Sequence, residues 1–296
     1  MFYNEVLAVK FLLNNTDYCA KVLKFMKLKI YQVDAFASKV FEGNPAAVCP
    51  LTQWLDDDVL QKIAEENNLS ETAFFVISED RIRLRWFTPM EEVDLCGHAT
   101  LAAAFVLYEY LDYAKPEVNF ITKSGELIVS KNEQGFSMDF PASMPSVIEA
   151  PKALLAGLGL NINTTDEVLP TKVMAAFDYV VVLNSEAEVR ALKPDFSKWL
   201  ALDLRGVVVT AVADDNAVDF VSRSFFPKLS VNEDPVTGSA HCEIAPYWNE
   251  NLNSSARILT GLQVSKRSGT VLCKVKGDRV ILTGQAVSYM TGEITI

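Results

Sequence analysis

The chain has 296 residues, of which 50% are hydrophobic and 22% are charged, and its net charge is −11. This composition is typical of a packed soluble protein, and the length predicts two domains or one large one. Because an acidic chain without a cluster of lysines and arginines cannot grip a phosphate backbone, we expect no nucleic-acid partner. No apolar run approaches the roughly 18 residues of a membrane helix, so we expect no membrane partner either.

Cysteine and histidine are too few and too scattered for most metal sites. The five cysteines contain no C-x-x-C pair, which is typical of reduced thiols in the cytoplasm. Only two histidines, His98 and His241, occur in the chain. Together with Cys96 and Cys242 they lack the spacing of paired zinc ligands, so the sequence predicts no metal.

The first 25 residues stand apart from the rest of the chain. Their apolar stretch is interrupted by Lys10 and no small-residue cleavage site follows it, so they lack the pattern of a signal peptide. Strand-like patterning begins directly after Met26. Residues 1–25 are therefore either an N-terminal extension or a stretch ahead of a start at Met26, and both interpretations stay open.

The predicted elements of the first half begin with a strand over 27–36, which is rich in β-branched and aromatic residues. A Gly-Asn-Pro turn follows, with Asn44 as the N-cap of a short helix that starts at Pro45. Acidic residues at 56–58 precede an amphipathic helix that ends near Asn67. Two strands are predicted next, over 71–77 and 81–87.

A stretch with two prolines, 141–146, predicts a linker between two halves of the chain. Beyond it the pattern predicts one helix, over 185–192, and a series of short strands. These strands are predicted over 179–183, 206–212, 218–226, 270–275 and 279–282.

A short pattern in the first half recurs in the second. It is R-x-F-x-P, followed by an acidic residue and then by a glycine that opens an apolar segment. Its members are Arg85, Phe87, Pro89, Asp94 and Gly97 in the first copy and Arg223, Phe225, Pro227, Asp234 and Gly238 in the second. The shared order predicts two structurally related halves.

Each repeated glycine opens a predicted helix. The helix after Gly97 is apolar on every side, which predicts a buried helix with a sheet wrapped around it. The helix after Gly238 is expected to be shorter, because Pro246 kinks or ends it. If the two halves face each other, the unpaired first-turn N–H groups of both helices lie in one cleft and attract a carboxylate. The alternative is that both glycines only make tight turns.

Three titratable residues accompany these elements. Glu71 stands at the entry to an apolar strand, where a carboxylate can act as a general acid or base, although most such residues only face solvent. Asp234 lies just before the second helix and is either a catalytic candidate or an ordinary turn aspartate. His98 follows Gly97, and the helix N-terminus is expected to lower its pKa and favour a neutral hydrogen-bonding or proton-relay partner.

Cys96 is a further candidate, as a base or nucleophile activated by the end of the helix. A racemase with two cysteines needs a second thiol before Gly238, and Thr237 stands there instead. A threonine hydroxyl is too weakly acidic to replace a thiolate. The chain contains no P-loop, dinucleotide fingerprint or Gly-x-Ser-x-Gly motif.

Five longer motifs extend from about residue 27 to the end of the chain. They are VDAFASKVFEGNPAAVC at 33–49, NLSETAFF at 68–75, RWFTPMEEVDLCGHATLAAA at 85–104, EDPVTGSAHCEIAPYW at 233–248 and, more loosely, QVSKRSG at 263–269. These motifs resemble the PhzF-like proteins of phenazine biosynthesis, a family related to diaminopimelate epimerase. Residues 1–25 lie outside the resemblance.

The resemblance implies an α+β fold of two pseudo-symmetric lobes, each a β-barrel or roll around a central helix. The active site lies between them. The first lobe is expected over 26–142, joined by 285–296 at the end of the chain, and the second lobe over 143–284.

The resemblance also implies the site residues. The general acid/base of the family falls on Glu71, and its catalytic partners fall on His98 and Asp234. Substrate-binding positions fall on Asn44, Gly97, Gly238 and Ser239. No metal or organic cofactor is implied.

Two departures limit what carries over from the family. The epimerase relatives use paired cysteines, of which only Cys96 has a match here. The stretch around 238–248 resembles a functionally unassigned branch of the family rather than the phenazine enzyme itself.

The sequence therefore predicts a cofactor-independent isomerase or epimerase that moves a proton on a small carboxylate-bearing substrate. We further expect a cytoplasmic homodimer. Two alternatives stay open: a binding or scaffold protein that has lost turnover, and a racemase that depends on Cys96.

Overall fold

The computed structural model describes residues 26–78, 81–159, 170–252 and 257–296, so the predicted extension 1–25 lies outside the described residues. The first half forms strands β1 Lys27–Ala35, β2 Asn44–Leu51, β3 Glu71–Ser78, β4 Arg81–Phe87, β5 Glu92–Val93, β6 Glu117–Thr122, β7 Gly125–Asn132, β8 Gly135–Pro141 and β9 Ser146–Val147, with helices α1 Asp57–Asn67 and α2 Gly97–Tyr110. The second half forms helices α3 Lys152–Gly157, α4 Glu186–Ala191, α5 Phe196–Trp199 and α6 Gly238–Asn251, with strands β10 Lys172–Ala175, β11 Tyr179–Val182, β12 Val207–Val212, β13 Phe220–Phe226, β14 Val231–Asp234, β15 Leu259–Gln263, β16 Gly269–Lys276, β17 Arg279–Gly284 and β18 Ala286–Thr295.

These strands join in one mixed sheet, and the order of pairing in the first half recurs in the second. In the first half β2 and β3 are parallel, β3 and β4 antiparallel, and β4 and β6 parallel. In the second half β11 and β12 are parallel, β12 and β13 antiparallel, and β13 and β15 parallel. Antiparallel pairing of β8 with β17 links the halves, and β18 returns from the end of the chain to pair with β1.

The two long helices lie inside the principal core. Helix α2 is buried along most of its length and contacts β1, β2, β3 and β8, which confirms the prediction of a buried helix. Its apolar side chains share one cluster with those of α6. Large side chains of the sheet complete this cluster, among them Trp86, Phe120 and Phe220. Burial of each such large side chain contributes about 1.5–3 kcal/mol, so the core holds the starts of both helices in fixed positions. No helix in the described ranges is long and apolar enough to cross a membrane.

The predicted short helix at Pro45 is wrong. Residues Asn44–Leu51 form strand β2, which pairs with β1 on one side and β3 on the other. Pro45 is the second residue of this strand and lies opposite Asp34, a place near a strand start where a missing N–H is tolerated. Because the φ angle of proline suits both a helix start and extended backbone, pairing on both edges decides the conformation.

The expected shortening of the second helix at Pro246 is also wrong. Helix α6 has 14 residues, the same length as α2. Proline at 246 deprives the Cys242 carbonyl of its helical N–H donor, and the backbone N–H of Ser143 donates to that carbonyl at 2.9 Å. A donor from outside the helix therefore lets α6 continue through the proline.

Candidate active site

The repeated motif builds the same structure ahead of both helices. Arg85 on β4 makes a bidentate ion pair with Glu92, with distances of 2.7 Å for Nε–Oε1 and 2.8 Å for Nη2–Oε2. Arg223 on β13 makes the same pair with Glu233, with corresponding distances of 2.7 and 2.9 Å. Each pair ties the strand before the helix to the segment that leads into it, so both helices start from a fixed position.

These ion pairs correct the predicted alignment of the repeat. Glu92 is equivalent to Glu233, and the expected match of Asp94 with Asp234 is wrong. Asp234 corresponds instead to Val93, because each is the residue after the paired glutamate. The same alignment makes Cys96 equivalent to Thr237 and His98 equivalent to Ser239.

Neither of the two long helices is capped by the side chain that precedes it. Cys96 and Thr237 precede them with extended backbone, and neither side chain caps the helix. Gly97 and Gly238 are the first helical residues, so the alternative of mere tight turns is excluded. Two uncapped helix starts offer N–H groups and positive dipole ends to an anion.

Nothing within the fold itself demands glycine at either helix start. Neither Gly97 nor Gly238 has a positive φ. A Cβ at Gly97 would lie 3.7 Å from Phe140, and one at Gly238 would lie 3.8 Å from Leu282, which are ordinary contact distances. The absence of side chains therefore leaves the backbone open to close approach by a ligand.

Glu71 and His98 meet at the start of α2. Glu71 is the first residue of β3, and its Oε2 lies 3.0 Å from Nε2 of His98. Nδ1 of His98 lies 3.5 Å from Sγ of Cys96 on the other edge of the ring. The imidazole is buried between a carboxylate and a thiol, which is an arrangement that can hold and move a proton.

The expected lowering of the His98 pKa is wrong. Burial does act to lower it, but the electrostatic and hydrogen-bonding interactions of the ring with Cys96 and Glu71 outweigh burial, and the pKa of His98 lies well above its ordinary value of 6.5. Cys96 and Glu71, which face the two ring nitrogens, therefore raise the pKa that the helix N-terminus was expected to lower.

Cys96 is poorly suited to act as a thiolate. The residue is buried, and burial together with the charge of Glu71 raises the pKa of its thiol despite the opposing effect of His98. At the equivalent position in the second half, the hydroxyl of Thr237 donates to Oδ2 of Asp234. The described residues therefore supply a thiolate at neither helix start, and the paired-thiolate chemistry of a racemase has no support.

Asp234 joins the two halves at the site. The side-chain amide of Asn44, at the start of β2, donates to Oδ1 of Asp234 at 2.8 Å and to the Val236 carbonyl at 3.0 Å. Burial raises the pKa of Asp234 to about 6, with the charge of Glu71 adding to this and His98, Thr237 and Asn44 opposing it. The structure thus brings Glu71, His98, Asp234 and Asn44 together beside both helix starts.

Two residues of this network were not assigned a role from the sequence. Gln263 is fully buried, donates from Nε2 to the Asp234 carbonyl at 2.7 Å and accepts from the Thr237 N–H at 2.9 Å. Ser70 donates to Oδ1 of Asn44 at 3.3 Å. Ser70 lies in the motif NLSETAFF and Gln263 in the motif QVSKRSG, and these motifs were the sequence signal that could have pointed to both residues. Their hydrogen-bond partners are distant in the chain, so the sequence did not reveal what they position.

One group of side chains within the described residues has the composition of a metal site. Ligand atoms of Glu71, Cys96 and His98 lie within 4.8 Å of one another. However, His98 turns Nε2 toward Glu71 and Nδ1 toward Cys96, so an ion held by Nε2 and the carboxylate would lie across the ring from the thiol. The arrangement therefore supplies two ligands to one position, fewer than the three of a typical catalytic zinc site.

Comparisons with known proteins identify the family of this chain. A family model described as "Phenazine biosynthesis-like protein" matches residues 33–292. An uncharacterised isomerase from Pseudomonas aeruginosa is 52% identical over 91% of this chain and 99% of its own length. The crystal structure of a PhzF family protein from Enterococcus faecalis has a TM-score of 0.85 at 47% identity and covers 92% of this chain and 100% of that one.

A hydroxyproline epimerase from Agrobacterium vitis shares the fold alone, with a TM-score of 0.55 at 9% identity over 91% of this chain and 93% of that one. The family match covers most of the chain, and it includes the motifs that carry Glu71, His98 and Asp234. The chain therefore belongs to the phenazine biosynthesis-like protein family.

Proposed function

We propose that this protein is a cofactor-independent isomerase or epimerase that moves a proton on a small carboxylate-bearing substrate. The observation that carries the proposal is the Glu71 carboxylate, 3.0 Å from His98 and electrostatically coupled to Asp234, beside two uncapped helix starts. Relatives named as isomerases support the reaction class. The repeated pairing of strands supports two lobes of an epimerase-like fold with the site between them.

The substrate carboxylate binds at the open helix starts. Gly97, Gly238 and Ser239 are half-buried, so their N–H groups remain within reach of a ligand. Without side chains at the two glycines, a carboxylate can approach the backbone closely. Binding at this point fixes the rest of the substrate relative to Glu71, which supplies the positioning that proton transfer requires.

Glu71 then transfers the proton. Its carboxylate removes a proton from one carbon of the substrate, and the bonding electrons delocalise toward the acceptor carbon. The protonated Glu71 exchanges with solvent during its lifetime and then delivers a proton to the acceptor carbon. The reaction balances without any co-reactant, since one proton is removed and one is added. His98 and Asp234 orient polar groups of the substrate, and Asn44 holds Asp234 in place through the 2.8 Å bond.

The decisive experiment is solvent deuterium incorporation into a panel of cyclic and linear amino and hydroxy acids. Wild type should exchange at least one of them, and Glu71→Gln should lose about 10²–10⁴-fold in rate because the base is gone. Glu109→Gln is the matched control, since its exposed carboxylate pairs with Lys131 on the surface and should leave the rate unchanged. No exchange by wild type on any acid, or a full rate in Glu71→Gln, would contradict the proposal.

A further inference from the structure

The start of α6 carries a cation that no part of the proposed proton transfer uses. Arg205 lies just before β12, and its Nη2 donates to Oγ of Ser239 in the first turn of α6 at 3.0 Å. Its side chain is 38% exposed, so the guanidinium is open to a ligand rather than sealed in the core. In the described residues Nη1 of Arg205 has no hydrogen-bond partner, which leaves a charged donor free beside the helix start.

The guanidinium is held rigidly in this position. Asp178 is fully buried and accepts from Nε of Arg205 at 3.1 Å and from Nη2 at 2.6 Å. The rings of Phe177 and Phe226 lie 5.6 and 5.1 Å from the guanidinium carbon. A cation fixed in advance loses little conformational entropy when a ligand binds, and this is how a binding residue is prepared.

Arg205 also belongs to the same electrostatic environment as the catalytic candidates. Burial acts to lower the pKa of Arg205, but the nearby carboxyl groups of Asp178, Glu243 and Asp234 raise it more, so the pKa lies above its ordinary value. The alignment of the two halves makes Arg205 equivalent to Ser70, which touches Asn44 in the first half. Ser70 borders the site in the first half, and Arg205 occupies the equivalent position in the second half.

The two helix starts differ in the donors that they add to their N–H groups. The start of α2 is flanked by the Glu71 carboxylate paired with His98, whereas the start of α6 is flanked by the Arg205 guanidinium, which Asp178 holds in place. A carboxylate ligand therefore gains a charge-assisted donor only at the second, through Nη1 of Arg205. We propose that Arg205 is a specificity-determining residue, which binds the substrate carboxylate at the start of α6 together with Ser239 and directs the reacting carbon toward Glu71.

This inference rests on the proposed function, and its test uses binding so that the two can fail separately. The probes are benzoate and benzamide, which share a shape and differ in charge. Removal of Arg205 alone would leave Asp178 buried without its partner, so the main variant is the double change Arg205→Met with Asp178→Asn. Arg205→Lys keeps a charge without the bidentate geometry.

Titration calorimetry should show benzoate binding to wild type and about 10- to 100-fold weaker binding to the double variant. Benzamide should bind weakly and equally to both, and Arg205→Lys should bind benzoate with intermediate affinity. Arg190→Met is the matched control, because the ion-pair partner of this half-exposed arginine on α4 among the described residues is Glu186, and the change should leave benzoate affinity unchanged. Equal affinity of wild type and the double variant for benzoate, including no binding to either, would overturn the inference.

For an acid that wild type exchanges with solvent, the double variant should raise KM by a similar 10- to 100-fold and leave kcat within a few-fold. A drop in kcat with an unchanged KM would overturn the inference. Absence of exchange by wild type contradicts the proposed function instead, whatever the benzoate result.

Discussion

The two halves of this protein use the same backbone plan to present different chemistry. In each half a bidentate Arg–Glu pair precedes a glycine that begins a 14-residue buried helix. Beside the first helix lie a carboxylate and an imidazole, Glu71 and His98, and beside the second lie a guanidinium and a hydroxyl, Arg205 and Ser239. The repeated part determines where the helix starts lie, and under our proposals the substituted positions give proton transfer to one half and anion binding to the other.

The largest expected difference between the halves concerns the repeated ion pair. Arg223→Met should cost about 3–5 kcal/mol in the free energy of unfolding, because it strands Glu233 and two backbone carbonyls, those of Val189 and Leu192. Arg85→Met should cost about 1–2 kcal/mol, because Lys123 still donates to Glu92 at 2.6 Å.

Urea unfolding of the two variants measures this difference directly. Arg83→Met, an exposed change on the same strand as Arg85, serves as the control and should stay within about 0.5 kcal/mol of wild type. Equal losses in the free energy of unfolding for Arg85→Met and Arg223→Met would contradict this prediction, because they would show that the size of the loss does not depend on the groups that remain unpaired.

A second difference is the pH dependence that Asp234 brings to the second half, where the first half has Val93. Burial raises the pKa of Asp234 to about 6 in the folded protein, against 3.8 as the ordinary value. The folded state holds this proton more tightly, so wild type should lose up to about 3 kcal/mol of stability as the pH rises from about 4 to about 6. Asp234→Asn should remove that loss.

His98 contributes in another pH range, which keeps the two effects separable. Because its pKa is raised above 6.5, its stabilisation is complete below that pH and is lost as the pH rises through the folded value. Urea unfolding of wild type and Asp234→Asn at pH 4, 6 and 8 should therefore give curves that diverge between pH 4 and 6 only. If the stability of wild type and of Asp234→Asn changes in parallel between pH 4 and 6, burial does not raise the pKa of Asp234 as described.

The smallest expected effect on stability comes from the two helix-start glycines. Gly97→Ala and Gly238→Ala should each change the free energy of unfolding by less than about 1 kcal/mol, because the added methyl meets only ordinary contacts. Gly238→Ala should nevertheless weaken benzoate binding roughly 10-fold, equivalent to about 1.4 kcal/mol, and Gly97→Ala should weaken it less.

The control for the glycine variants is Gly292→Ala on β18, whose added methyl would lie 3.6 Å from Ile30. It should fold normally and retain full benzoate affinity. If Gly97→Ala weakens binding more than Gly238→Ala, the carboxylate lies at the first helix, and the assignment of anion binding to the second half is wrong.

Much of the site could be predicted from the sequence because its signals are local. Glu71, His98 and Asp234 each lie within a short motif, and the repeated Arg-x-Phe-x-Pro pattern marks the start of each buried helix. The apolar character of α2 on every side likewise predicted its burial, because a helix without a polar face must be surrounded.

Other features depend on partners that are distant in the chain. The conformation at Pro45 was decided by two neighbouring strands, and the continuation of α6 past Pro246 by the N–H of Ser143. The sequence by itself therefore determined which chemical groups the protein carries and where its two long buried helices begin. Only the tertiary structure decided that Glu71 raises the pKa of His98 and that Arg205 stands beside Ser239, because charges act through distance in space and not through separation along the chain.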